Sequence, residues 1–129
     1  MLERRKCERF IIPGSTISYK VHGLLQRHQS FSDNLHPVCD ISKGGLSFLT
    51  DTPLKEEKEV SILLHVSEKE DPVQLEGKIV YVMLNTGVSY RYRIGVRFKP
   101  FGNREGLNSL ECLNRLDELE KTFRAGREK

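Results

Sequence analysis

Arg5 and Arg9 stand four residues apart near the start of the chain, within Arg5-Lys6-Cys7-Glu8-Arg9 and directly behind Arg4. A planar guanidinium binds phosphate oxygens bidentately, matches the O6 and N7 acceptors of guanine, and stacks on a base face. In an extended arm residues 5 and 9 point to the same side, roughly 13 Å apart at ~3.3 Å per residue. In a helical turn they approach to about 6 Å. Either geometry lets two guanidinium groups grip different parts of one anionic nucleotide. The plainer reading of the same residues is a solvated basic tail.

A second group follows about thirty residues later, Asp40-Ile41-Ser42-Lys43-Gly44-Gly45. Asp40 and Ser42 alternate on a strand, so their side chains share a face. A carboxylate accepts from the N1 and N2 donors of a guanine edge, and a serine hydroxyl serves phosphate or base. Gly44-Gly45 permits a tight turn with positive φ and close approach of a ligand to the backbone. The plainer reading here is a hairpin in which Asp40 and Ser42 bond the turn backbone.

Together, the Arg5xxxArg9 and Asp40xSer42xxGly45 patterns resemble the two-part signature of the PilZ domain family, RxxxR followed by [DN]xSxxG. Gly95-Val96-Arg97-Phe98 resembles the family's last strand, so the resemblance runs from about Glu3 to Lys99. It implies a six-stranded antiparallel β-barrel, the arginine arm crossing its outer surface, and a receptor for the bacterial second messenger cyclic di-GMP. The ligand-binding residues so implied are Arg4, Arg5, Arg9, Asp40, Ser42, Gly44 and Gly45. The Arg4-Arg5 doublet would suit an intercalated dimer of the ligand, two molecules per chain. Arg4 pairing with Glu3 or Glu8 is the alternative.

Composition narrows the class. At 129 residues and a net charge of +3, the chain is expected to form one domain and is not broadly basic. Positive charge crowds Arg4, Arg5, Lys6 and Arg9, while Glu56, Glu57, Glu59, Glu68, Glu70 and Asp71 make the middle acidic. That asymmetry fits a local anion site better than a groove for long nucleic acid. Three cysteines without a CxxC pair argue for a reducing cytoplasm. Cys7, among cations, is a redox candidate of low weight. The four histidines lack metal-ligand spacing, so no metal or cofactor is expected. No apolar run approaches the ~18 residues of a membrane span, and no secretory signal is evident.

These residues must be held by mainly β sequence. Alternation predicts strands from residue 10 to Val21 (interrupted by Pro13-Gly14), at Val38–Ile41 and Leu46–Leu49, at Val60–Val66, at Val73–Met83, and at Val88–Phe98. Residues 22–34 read as an exposed loop. On the fifth strand Val73, Leu75, Gly77, Ile79, Tyr81 and Met83 share one face, with Lys78, Val80 and Val82 on the other. Tyr81 could pack against a bound guanine, but its alternation assigns it to the core or barrel wall. Tyr90, Tyr92, Ile94, Val96 and Phe98 oppose Arg91, Arg93 and Arg97, three arginines read as a solvated face more readily than as part of the anion site.

Residues 1–102 are therefore expected to form the arm and barrel, and 103–126 a C-terminal helix with Gly126 as its stop. Leu107, Leu110, Leu113, Leu116 and Leu119 recur every three residues, drifting about 60° backwards per step. So wide a stripe predicts that Leu116, Leu119 and Phe123 meet a second subunit or a partner, unless a groove on the barrel takes the whole helix.

Nothing resembles a nucleophile–base pair or a phosphate loop, so the expected function is a ligand-gated adaptor, not an enzyme. Phosphates and guanines would order the N-terminal arm against Asp40, Ser42 and Gly45, and the arm would re-orient the helix or an unidentified downstream protein. Motility, biofilm formation, exopolysaccharide synthesis and virulence are outputs implied by the family. Two other readings stand beside it. One is a PilZ-like interaction module without ligand, of pilus or flagellar type. The other is a small barrel binding single-stranded nucleic acid through Tyr81, Tyr90, Tyr92 and Phe98.

Overall fold

The computed structural model describes residues 8–23, 31, 34–87 and 89–127. Arg4, Arg5 and Cys7, most of the 22–34 loop, and Val88 lie outside the described residues. Six strands follow in order: β1 (Thr16–Val21), β2 (His36–Ile41), β3 (Gly45–Thr50), β4 (Glu59–His65), β5 (Val73–Leu84) and β6 (Tyr92–Phe98). They close an antiparallel barrel in the order β1-β2-β3-β6-β5-β4, with β4 returning to β1. The expected mainly β barrel with a C-terminal helix is the observed architecture. Closure removes the unpaired edges that short strands would otherwise expose.

The interior is filled by one apolar residue in two from each strand, including Ile17, Ile41, Phe48, Ile62, Leu75, Ile79 and Ile94, all fully buried. β5 breaks the expected alternation. Its register against β6 shifts between Ile79 and Tyr81. One extra residue there turns every later side chain to the opposite face. Val82, not Tyr81, packs on the core, and Met83 and Leu84 are exposed. The last strand begins at Tyr92 rather than residue 88. Asn85 closes a wide loop instead, its backbone N–H donating to the Arg91 carbonyl and its side-chain amide to that of Tyr90.

Helix α1 (Leu110–Arg127) starts seven residues later than the expected Asn103 and runs through Gly126. The intervening segment folds back so that Asn108 extends the sheet where β6 ends. Its side-chain amide accepts from Glu76 N–H (2.8 Å) and donates to the carbonyls of Glu76 (3.0 Å) and Lys99 (2.9 Å). A backbone edge that lacks a strand partner is thereby satisfied by one buried side chain.

The helix lies across the barrel end where β2 and β6 finish and β3 and β5 begin. Lys43 meets Asp117, Arg115 meets Glu70, and the Cys112 thiol donates to the Gln74 carbonyl. This corrects the expected partner surface. Leu116 and Leu119 are 0% and 4% exposed and belong to the core with Phe10 and Ile12, and Phe123 packs against it. A barrel mouth contacts more of a helix than one flat sheet face does, so the wide leucine stripe needs no second subunit. Leu110, at 41%, is the exposed member.

Candidate functional site

Phe10 anchors the described end of the arm. It exchanges both backbone hydrogen bonds with Ile41, at 2.8 and 2.9 Å, and its buried ring enters the core. That single bridge puts Arg9 beside the last turn of β2. Arg9 donates to the Asp40 carboxylate with Nη1–Oδ2 at 3.4 Å. The two halves of the sequence pattern, separated by 31 positions, therefore meet.

Asp40 does not bond the turn. Its Oδ1 accepts from Ser47 at 2.9 Å, and its Oδ2 accepts from Arg93 as well as Arg9, at 3.4 Å each. Arg93 also donates to Ser47 at 3.2 Å. Ser47 and Arg93 come from neighbouring strands and hold Asp40 from the barrel wall, independently of the arm. Burial alone would lower the affinity of Arg93 for its proton. Cys39, Tyr81 and Asp40 around it outweigh that, and its pKa is raised above the usual arginine value. Burial pushes the adjacent Cys39 thiol up, against the pull of Arg93 and Ser47, so it is a poor nucleophile.

Ser42 lies beyond the end of β2 and takes the plainer role weighed for it. Its hydroxyl accepts the Gly44 N–H at 3.0 Å and reaches the Gly45 carbonyl at 3.4 Å, while its own N–H donates to that carbonyl at 2.8 Å. Gly45 is not left-handed; the left-handed glycines among the described residues are Gly14 and Gly106. Gly45 is required by close approach, since a Cβ there would stand 2.1 Å from the Val96 carbonyl oxygen.

A cleft of about 360 Å³ joins these groups. Arg9, Asp40, Ser42, Gly44 and Gly45 line it together with Tyr81, Gly95 and Arg97. All five expected site residues that the structure describes therefore share one concave surface. Tyr81 is there because the β5 bulge turns it outward, which its alternation with Ile79 did not reveal. Of the three arginines opposite the core face, Arg93 and Arg97 join the site and Arg91 does not. Their period-2 spacing was the available signal. Which of them faced Asp40 depended on strand order.

Both motifs also touch the helix. Lys43 pairs with Asp117 at 3.2 Å and lies 3.7 Å from Glu120, and Arg124 bridges Glu120 and Glu8 of the arm. Among the described residues no group of three histidines, cysteines or carboxylates could hold a metal ion. Among the described residues no helix is long and apolar enough to cross a membrane.

The PilZ domain family model matches residues 3–115. The chain belongs to the PilZ domain family. Among solved structures, the PilZ domain of Escherichia coli YcgR with c-di-GMP superposes with a TM-score of 0.67 at 16% identity, over 98% of this chain and 96% of that one. The Klebsiella pneumoniae MrkH–c-di-GMP complex gives 0.62 at 21% identity, over 99% of this chain and 57% of that one. The Bacillus subtilis inhibitor of motility MotI/DgrA gives 0.56 at 11% identity, over 94% and 53%. This PilZ domain thus spans little more than half the length of the last two chains. No curated protein matches it. At these identities the likeness speaks for the fold alone.

Proposed function

We propose that this PilZ domain is a receptor for cyclic di-GMP. The observation that carries the reading is the meeting of Arg9 and Asp40 at the mouth of one cleft, lined by both halves of the signature. The guanidinium of Arg9 suits a ligand phosphate or the O6/N7 edge of a guanine, and Asp40 suits the N1 and N2 donors. Gly45 lets β3 lie against the Val96 backbone beneath the cleft. Arg4 and Arg5 would complete the grip from the arm, and with them the site would take an intercalated ligand dimer, two molecules per chain.

The same contacts support a relay. Glu8 sits inside the arginine motif and Lys43 inside the turn motif, and both hold charged residues of α1. A ligand that re-orders the arm would compete with the Glu8–Arg124 pair and bias the helix, presenting a changed surface to a downstream protein. The output is binding rather than catalysis. The single-stranded nucleic-acid reading loses support because Phe98 is buried and Tyr92 packs on the core, leaving too few stacking faces.

Calorimetric titration with cyclic di-GMP, beside an Arg9→Ala variant and a linear RNA dinucleotide, tests the proposal. Saturable binding is expected, weakened about 10-fold or more in the variant, the worth of one charge-assisted contact. A stoichiometry near one ligand per chain would remove the dimer. Failure of the intact protein to bind would transfer the weight to a ligand-free interaction module. Cleavage within residues 1–10 by a protease should slow when ligand is present, and an unchanged rate would count against the arm as the relay.

A further inference from the structure

We propose that the end of β5 is a self-pairing edge, to which a second copy of this chain adds its own β5 antiparallel about Met83.

Barrel closure leaves this stretch paired on one side only. β5 runs to Leu84, but β4 covers it only from Val73 to Lys78. The β3–β4 loop covers one residue more: Ile79 donates to the Lys58 carbonyl at 2.9 Å, and its own carbonyl accepts the Glu57 N–H at 2.8 Å. Beyond it, β6 alone pairs with β5. Backbone groups of successive strand residues face alternate sides, and the bulge after Ile79 resets which residue faces which. Asn85 donates to the Arg91 carbonyl at 2.8 Å, so it faces β6. Counting back, Met83 and Tyr81 also face β6, while Val82 and Leu84 face away. Among the described residues, no hydrogen bond reaches Val82 or Leu84 from that side.

Sheet edges are ordinarily blunted by a charged side chain or a proline. Residues 81–85, Tyr-Val-Met-Leu-Asn, carry neither. Met83 is 53% and Leu84 76% exposed, while Val82 between them and the bulge packs on the core and holds the edge in place.

The occupant follows from symmetry. An antiparallel pair centred on Met83 sets Val82 of each copy opposite Leu84 of the other. Those residues exchange both backbone hydrogen bonds, so every free group on the two edges finds a partner. Met83 then falls on the two-fold axis at a non-hydrogen-bonded position, its two Cα atoms about 4.5 Å apart, and the thioether chains pack together. A neutral segment meets a neutral segment, so no like charges are opposed. So short a pairing falls below the roughly 1,200 Å² of a standard interface, which makes the dimer weak and dependent on concentration.

Sedimentation velocity over a range of concentrations tests this on the intact protein, Met83→Glu, Leu84→Pro and Leu110→Glu, with circular dichroism to confirm that each is folded. The intact protein should pass from monomer to dimer as concentration rises. Met83→Glu sets two carboxylates on the axis and should weaken the dimer about 10-fold or more. Leu84→Pro removes a free donor and no barrel hydrogen bond, and should weaken it likewise. If the proline variant does not fold, Met83→Glu alone decides. Leu110→Glu, on the exposed start of α1, should dimerise as the intact protein does. A monomer at every attainable concentration would overturn the proposal and leave the edge to a strand of another protein. A dimer kept by the folded β5 variants, or lost in Leu110→Glu, would place the interface elsewhere and overturn it too.

Discussion

The ring of Tyr81 occupies the space above Gly95 that any side chain at that position would need, with Cε2 2.0 Å from an added Cβ. Glycine in the middle of a strand costs conformational entropy, so its presence in β6 needs a packing reason, and this ring is it. Gly95→Ala should displace the ring and destabilise the domain by about 1–3 kcal/mol, the usual range for overpacking. In a Tyr81→Ala background the same substitution should cost less, a coupling of at least about 0.5 kcal/mol measurable by denaturant unfolding of the four proteins. Additive effects would mean that the two residues do not share that space.

Asn108 acts as a short substitute strand on β5. It is 4% exposed and makes three hydrogen bonds to the backbone of Glu76 and Lys99. Asn108→Ala removes the partners of the Glu76 N–H and the Lys99 carbonyl, while the Glu76 carbonyl keeps the Lys99 N–H, for an expected loss of about 2 kcal/mol. Urea titration of the variant gives the number directly, and a change within about 0.5 kcal/mol would contradict the buried network.

Leu116 closes the barrel mouth at 0% exposure, whereas Leu110 on the same helix is 41% exposed. Leu116→Ala should cost about 2–5 kcal/mol and Leu110→Ala close to nothing. The pair of values separates a helix packed on its own barrel from one awaiting a second subunit. In the latter case the monomer would lose little from either change.

His36 makes stability fall with acid. It is 7% exposed, its ring lies 5.0 Å from that of Tyr19 and 6.1 Å from that of Phe48, and its Nδ1 has no partner. Burial lowers its pKa, overcoming the Leu49 backbone hydrogen bond and the Asp51 carboxylate, which both favour the proton. The unfolded chain takes up that proton near pH ~6.5, where the folded protein still holds a neutral ring. Between those values the unfolded state binds more protons, so unfolding becomes easier as pH falls. The stabilising contribution is complete above the unfolded value and is lost on descent through the folded one. Thermal melts from pH 7.5 to 5.0 should show a shallower decline for His36→Phe than for the intact protein, and parallel curves would exclude His36 as a cause.

Much of this molecule is local and therefore legible along the chain. Side chains alternate across a strand with period two, so the apolar rhythm of 73–79 and 92–98 already marked two inward faces. The Arg9 and Asp40 motifs, and the glycine turn between β2 and β3, were likewise visible as residue types at fixed spacing. A bulge leaves no such mark, because one extra residue on β5 is defined only against its partner strand. Hence Tyr81 read as a wall or core residue and is found in the cleft. The clamp of Asp40 by Arg93, 53 positions away, and the tie of Lys43 to Asp117, 74 positions away, depend on which strands and which helix become neighbours. Barrel closure settled that adjacency. It also decided that Leu116 and Leu119 have a mouth to fill, since a leucine stripe states only that apolar surface must be covered, and the packed chain supplies the cover.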